Sequence, residues 1–275
     1  MEIVILVGLI YYTIVIISKR NKVYFKPNKQ IIWEPTELKN ETLKYKNVFT
    51  TNRNYIINIW SFDNPLASKV IVYCYGNSGN MSSNRLFIEF WKEYLSEEYS
   101  LIMFDYIGFG KSQDTTGEVD YPTIDSCKMS LYITLKYTFK NFVNHSVSLY
   151  GFSMGGGIIS EVVSELEYEF DKVILSHTFT SVRDFVVEKN NYFLFVYYFI
   201  PNELDTFKNL NVIKKTRKSK ILLIGSKQDG TIPYHMFNRL STLVDKSLTV
   251  KGDHNNIFTF KENSQNISQC ILNFD

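Results

Sequence analysis

Short runs of β-branched and aromatic residues recur along the chain between residues 55 and 250, and stretches of helical length and spacing separate them. The candidate strands are residues 55–61, 69–75, 100–105, 147–150, 172–176, 221–225 and 247–250. Most are apolar without alternation, the pattern of strands covered on both faces. Between them, residues 84–97, 123–140, 155–167, 234–244 and 257–271 have the length and spacing of covering helices. No internal repeat or low-complexity linker divides them, and 275 residues suffice for one large core. The order predicts an α/β fold, a doubly wound and mostly parallel sheet flanked by helices. Such sheets bind ligands at the carboxyl ends of their strands, so the polar residues that follow each strand carry the functional expectations.

Composition narrows the function classes. Thirty Lys+Arg against 28 Asp+Glu leave a formal charge of +2, too little for a field that holds a nucleic-acid backbone. Cys74, Cys127 and Cys270 are odd in number and widely spaced, which fits reduced thiols packed as small apolar groups and neither a disulfide framework nor a zinc cage. No GxxxxGK(S/T) loop is present and no GxGxxG opens a helix, which excludes a phosphate cradle.

After the candidate strand 147–150 comes Gly151-Phe152-Ser153-Met154-Gly155-Gly156-Gly157, a GxSxG placed between strand and helix. The flanking glycines permit a tight turn that presents the Ser153 hydroxyl, and the following helix turns its first amides toward a developing oxyanion. A serine hydroxyl needs a base to take its proton. Of His145, His177, His235 and His254, only His254 stands in a polar loop after the last strand, in Gly252-Asp253-His254-Asn255-Asn256. His177, directly after residues 172–176, is the competitor, more in keeping with shaping a pocket. Asp229, in the loop after residues 221–225, is the expected carboxylate partner, ahead of Asp253 beside the histidine itself. The order Ser153, Asp229, His254 differs from both common protease orders. For the oxyanion, the backbone amides of Met154 and Asn77 are expected, with Ser78 the near alternative, because Tyr75-Gly76-Asn77-Ser78-Gly79-Asn80 is a glycine-containing loop after the strand at 69–75.

This constellation resembles the α/β-hydrolase superfamily, and within it the Bem46-like group of membrane-anchored serine hydrolases that includes ABHD13-type and ABHD17-type proteins. The resemblance spans roughly residues 45–275. Its further matching pieces are Asp105-Tyr106-Ile107-Gly108-Phe109-Gly110-Lys111-Ser112, Thr178-Phe179-Thr180-Ser181 with Arg183-Asp184, and Gly252-Asp253-His254-Asn255. The family pattern has His where this chain has Tyr75. The resemblance implies hydrolysis of ester or thioester bonds without metal or organic cofactor, some relatives removing fatty acyl groups from protein cysteines. Two other classes stand beside it: a non-catalytic, membrane-tethered binding protein that keeps the fold, and a peptidase of the same fold.

Ahead of the strands, residues 3–17 run IVILVGLIYYTIVII without a charge, and Lys19, Arg20, Lys22 and Lys26 follow. The expected organisation is therefore a membrane anchor over 1–20, short of the ~20 apolar residues of a full span and helped by snorkelling. Nothing basic precedes the run and no small-x-small site follows it, unlike a cleavable signal peptide. The flanking cations place the hydrolase domain, 21–275, on the cytoplasmic side. A cap-like insertion is expected at about 178–216, where residues 192–200, YFLFVYYFI, are apolar on every face, as in a lid over an acyl pocket or an ordinary buried helix. Membrane lipid, through the anchor, and an acyl ester or thioester substrate are the expected partners.

Overall fold

The computed structural model describes residues 22, 24–35, 44–117, 121–189, 202–216 and 219–274. The uncharged run 3–17 and the aromatic run 192–200 lie outside the described residues. Among the described residues, no helix is long and apolar enough to cross a membrane.

The predicted alternation builds one nine-stranded sheet. Its main strands are β1 (Lys44–Asn52), β2 (Tyr55–Asp63), β3 (Lys69–Cys74), β4 (Tyr99–Phe104), β5 (Ser146–Phe152), β6 (Phe170–Ser176), β7 (Ser219–Ser226) and β8 (Lys246–Val250). They lie in the order β8-β7-β6-β5-β3-β4-β2-β1, and a two-residue strand, Gln113–Asp114, pairs beside β2. Pairing is parallel from β8 through to β4. Only β2 runs antiparallel to both of its main neighbours, β4 and β1. The interior strands are the apolar runs: β4 is buried along its whole length and β3 at every position after Lys69.

The helices are α1 (Arg85–Tyr94), α2 (Ile124–Asn141), α3 (Met154–Glu165), α4 (Val182–Lys189), α5 (Thr206–Thr216), α6 (Tyr234–Ser241) and α7 (Lys261–Leu272). α1 packs with α7, whereas α2, α3, α5 and α6 follow one another in contact. α2 starts at a reciprocal cap, in which Thr123 Oγ1 accepts from Ser126 N and Ser126 Oγ from Thr123 N. Its buried stripe is hydroxylic. Ser130, Thr134 and Thr138 each donate to the carbonyl four residues back, so the buried oxygens are satisfied within the helix.

Two elements, the first strand and the last helix, differ from the sequence expectation. β1 was not foreseen, because KYKNVFTTN carries charged and amide residues between its β-formers. It is an edge strand, exposed or half-buried along its length, paired with β2 from Lys44 opposite Asp63 to Asn52 opposite Tyr55. α4 and α5 fall in the stretch expected to form a cap-like insertion, and α5 packs on α3. The single helix expected at 257–271 is a 3-10 turn, Ile257–Thr259, then α7, with Phe260 in extended backbone between them.

Register decides where the chemistry can sit. Cys74 pairs beside Gly151, Phe152 beside Ser176, Ile224 beside Ser176 and Ser226 beside Val250, so the carboxyl ends of five parallel strands form one rim. The chain packs very closely beneath it. A Cβ on Gly155 would meet the Cys74 carbonyl oxygen at 2.1 Å, and one on Gly151 would meet Gly156 Cα at 2.6 Å. Gly155→Ala is therefore expected to cost about 3 kcal/mol or more of stability. Gly117, at φ +75 with nothing within 4 Å of an added Cβ, should cost only about 1 kcal/mol when changed to Ala. Urea unfolding of the two variants reads the difference.

Candidate active site

Ser153 stands between β5 and α3 with φ 55° and ψ −119°, a positive-φ conformation that a side chain seldom adopts. Three bonds hold the turn. Ser153 N donates to Ser176 O at 2.8 Å, and the Ser153 carbonyl accepts from Thr178 Oγ1 at 2.9 Å and Gly156 N at 3.0 Å. The rim of β6 thus fixes the backbone that presents the hydroxyl.

The loop after β7 carries Asp229. Its Oδ1 accepts from Thr231 N and Ile232 N, both at 2.8 Å, and its Oδ2 lies 2.8 Å from His254 Nδ1. Burial alone would raise the carboxyl pKa, but the hydrogen bond and charge of His254, the Ile232 N–H and His177 outweigh it and hold the group below the ordinary carboxylate range. His254 is 5% exposed, and its ring sits 4.9 Å from that of Phe152.

Asp253, the rival acid ranked behind Asp229, serves backbone amides and not the imidazole. Its Oδ1 accepts from Gly230 N at 2.8 Å and from His254 N at 2.7 Å, so it ties the Asp229 loop to the His254 loop through backbone amides. Those two bonds lower its pKa. Gly252 N to Gln228 Oε1, 2.6 Å, and Ser226 Oγ to Gly252 O, 2.5 Å, add further ties.

His177 sits at φ 52° and is buried, with Nδ1 3.0 Å from Ser176 Oγ and its ring centroid 5.9 Å from that of His254. Its Nε2 is buried without a hydrogen-bond partner among the described residues. Burial pushes its pKa down to about 4, against the attraction of Asp229 and reinforced by repulsion from His254. It is therefore an uncharged neighbour of the imidazole at neutral pH. His145 lines a separate hollow of about 860 Å³, near the start of β5, and His235 opens α6 with its Nε2 3.2 Å from Glu188 Oε2.

Gly76 brings the loop after β3 against the serine, since a Cβ there would lie 3.5 Å from Ser153 Cβ. Among the described residues, no acceptor is bonded to the backbone N–H of Met154 or of Asn77. Ser78 is drawn into a two-residue parallel pairing, Lys26–Pro27 with Ser78–Gly79. Beneath the loop, Tyr75 hydroxyl donates to Asp105 Oδ1 at 3.4 Å, and Tyr106 hydroxyl donates to Tyr75 O at 3.0 Å. Asp105 also accepts from Asn58 Nδ2, Met81 N and Lys111 N. Burial still raises its carboxyl above the usual range despite these four donors.

Ser153, Met154, Asn77 and His254 line one cavity of about 530 Å³, walled by apolar side chains that include Tyr24, Phe179, Phe185 and Ile232. Asp229 and His254 are brought into direct contact, while Ser153 Oγ and His254 share the cavity without a hydrogen bond between them. Such contacts are often long in ligand-free sites. Sequence inspection missed Tyr24, Phe25 and Lys26 as lining residues, because two aromatics in a basic stretch carry no periodic signal. Among the described residues, no three His, Cys, Asp or Glu side chains cluster as a metal site.

For the buried His177, the unfolded chain takes up a proton near pH 6.5 and the native state only near 4, so the unfolded state binds more protons in between. Stability should fall by about 3 kcal/mol as pH drops through that window. His177→Asn, which tolerates positive φ, should flatten the fall; urea unfolding at pH 7, 5.5 and 4.5 measures it.

A family model described as alpha/beta hydrolase fold matches residues 69–269. Among curated proteins, the chain is 27% identical over 206 residues to "Uncharacterized protein YfhR" of Escherichia coli K12, covering 72% of this chain and 66% of that one. It is 25% identical over 201 residues to "Lysophosphatidylserine lipase ABHD12" of Rattus norvegicus, covering 68% of this chain and 48% of that one. The chain thus spans about half to two thirds of the length of these relatives. Among solved structures, the Pyrococcus furiosus esterase Pf2001 superposes with a TM-score of 0.70 at 20% identity, covering 90% of this chain and 98% of that one. Est1E from Butyrivibrio proteoclasticus, solved with ferulic acid bound, gives 0.63 at 16% identity over 82% of this chain and 97% of the other.

Proposed function

The chain belongs to the alpha/beta hydrolase fold family, and we propose that within it this protein is a serine hydrolase that cleaves carboxylic ester or thioester bonds through an acyl-enzyme. The observation that carries the proposal is the 2.8 Å contact of His254 Nδ1 with the buried Asp229 Oδ2, in a cavity that also holds Ser153. With Nδ1–H donated to the carboxylate, Nε2 keeps its lone pair free for a proton.

Ser153 Oγ attacks the acyl carbonyl carbon as His254 Nε2 takes the hydroxyl proton. The bond between carbonyl carbon and the alcohol oxygen or thiol sulfur then breaks, and His254 protonates the leaving group. Asp229 keeps the imidazole oriented and stabilises its cation. The Met154 and Asn77 amides receive the oxyanion, and a helix N-terminus is suited to that task because its first N–H groups lack intrahelical acceptors. Water, deprotonated by His254, then attacks the acyl carbon, the bond from that carbon to Ser153 Oγ breaks, His254 returns the proton to Oγ, and the carboxylic acid leaves.

The apolar wall of Phe179, Phe185 and Ile232 suits an acyl chain. The lipase among the relatives and the esterases among the superposable structures support esters as the substrate class. We place the chain with the Bem46-like group of membrane-anchored hydrolases, with residues 1–20 as the anchor and 21–275 as a hydrolase domain with a cap-like insertion at about 178–216. That placement rests on the uncharged run 3–17 and the cations after it, and it puts the hydrolase domain on the cytoplasmic side, next to lipid or S-acylated protein substrates. The non-catalytic alternative drew on Tyr75 in the position of the family histidine. The Tyr75 hydroxyl bond to Asp105 gives the loop a tether there and weakens that reading.

A fluorophosphonate should label the wild type and not Ser153→Ala, which should remain folded and lose turnover. A panel of acyl esters, acyl thioesters and an amide then separates esterase, thioesterase and peptidase. Full activity in Ser153→Ala overturns the proposal. Asp229→Asn, which leaves the imidazole in the wrong tautomer, should lower kcat by about 10⁴-fold with a folded protein; steady-state kinetics on the best panel substrate checks it.

A further inference from the structure

We infer that residues 24–30, which precede the part of the chain matched by the family model, are a working part of the oxyanion hole, and that Asn80 is the positioning residue that locks them to it. The inference rests on the serine-hydrolase reading of Ser153.

A backbone N–H has no side chain of its own to aim it, and its direction follows from the peptide planes of its loop. The loop holding Asn77 is soft by composition. Gly76 lacks a Cβ and Gly79 sits at φ +76°, so neither resists rotation. The stiffness comes from outside. Lys26 N donates to Asn77 O at 2.8 Å, Asn28 N to Gly79 O at 2.9 Å, and Asn77 Nδ2 to Tyr24 O at 2.7 Å. In this way residues 24–30 form a short parallel strap along the face of the loop, and Tyr24, Phe25 and Lys26 reach the wall of the Ser153 cavity.

Asn80 closes the arrangement. It is 0% exposed, and its Nδ2 gives both protons to the strap, to Asn28 O at 2.9 Å and Gln30 O at 2.8 Å. Its Oδ1 meanwhile accepts from Ser82 N at 2.9 Å and Ser82 Oγ at 2.5 Å. The strap is fastened to the body of the domain as well. Tyr121 hydroxyl donates to Phe25 O at 2.7 Å, Gly110 N donates to Asn28 O at 3.0 Å, and the buried Phe25 ring meets Phe109 edge-on at 6.3 Å. The oxyanion loop is thus clamped between the sheet and a strap anchored independently to the Phe109–Gly110 turn. Oxyanion donors act only when they lie about 2.7–3.1 Å from the charge, so slack of a few tenths of an ångström in this clamp reaches the rate.

The test uses the full chain in detergent. Asn80→Asp keeps an oxygen for Ser82 but replaces both donations to the strap with repulsion between a carboxylate and two carbonyls. Its kcat on a short acyl ester should fall about tenfold with KM within about twofold, and its affinity for a trifluoromethyl ketone, which mimics the tetrahedral intermediate, should fall by the same factor. Tyr121→Phe removes only the tie between the strap and the domain body. It keeps the ring, so it should fold, and it should show the same paired loss at about threefold. A merely structural role would lower the melting temperature and leave kcat and analogue affinity of the folded enzyme unchanged, and that result in both variants overturns the inference. An unlabelled, inactive wild type would instead overturn the serine-hydrolase reading, and the inference with it.

Discussion

The active end of the molecule depends on how closely the first turn of α3 approaches the end of β3. Gly155 lies against the Cys74 carbonyl so tightly that a single methyl group would collide with it. That approach places the Ser153 turn beside Gly76, and with it brings Met154 and Asn77 to the wall of one cavity. A helix that stood off by the width of an ordinary side chain would separate them. The strained backbone at Ser153 persists because the neighbouring strand holds it, through Ser176 O on one side and Thr178 Oγ1 on the other.

A second layer of polar contacts supports this one. Asp105 is a buried carboxylate with four donors, drawn from β2, the loop after β3, the turn before α1 and the turn after β4. Gly110 passes so near that carboxylate that a Cβ would fall 2.0 Å from Oδ2. One acid thereby ties β2 and the connection that follows β3 to its own turn. Tyr75 takes part with its hydroxyl, and its ring packs on Tyr106 and Phe109 at 4.8 and 6.0 Å between centroids. An aromatic cluster thus holds the tyrosine in place.

Much of this was legible in the chain. The parallel core strands announce themselves because both faces are buried, which leaves unbroken apolar runs such as VIVYC and ILLIG. Ser153 and Asp229 each follow such a run, His254 follows the more exposed KSLTV, and the strand register brings the three loops to one rim. β1 was hidden by its exposure on the edge, where propensity is diluted by lysine and asparagine. Asp229 could be ranked ahead of Asp253 because neighbours on a loop seldom face each other, and the Asp253 carboxylate serves backbone amides. The strap at residues 24–30 was invisible for a deeper reason: it is held through its own main-chain groups, to Asn77, Gly79, Asn80, Gly110 and Tyr121, and a segment bonded through its main chain writes no side-chain pattern of its own.

The ties between the Asp229 and His254 loops have a mechanical consequence. Asp253 to Gly230, Gln228 to Gly252 and Ser226 to Gly252 couple the loops on either side of the carboxylate and imidazole pair. The pair therefore travels as one body, and its internal separation is insulated from motion of the surrounding chain. Ser153 belongs to a different body, fixed to β6 and α3. The soft coordinate of the site is then the gap between these two bodies, across which Ser153 and His254 stand unbonded, and a substrate that spans the gap would set its width.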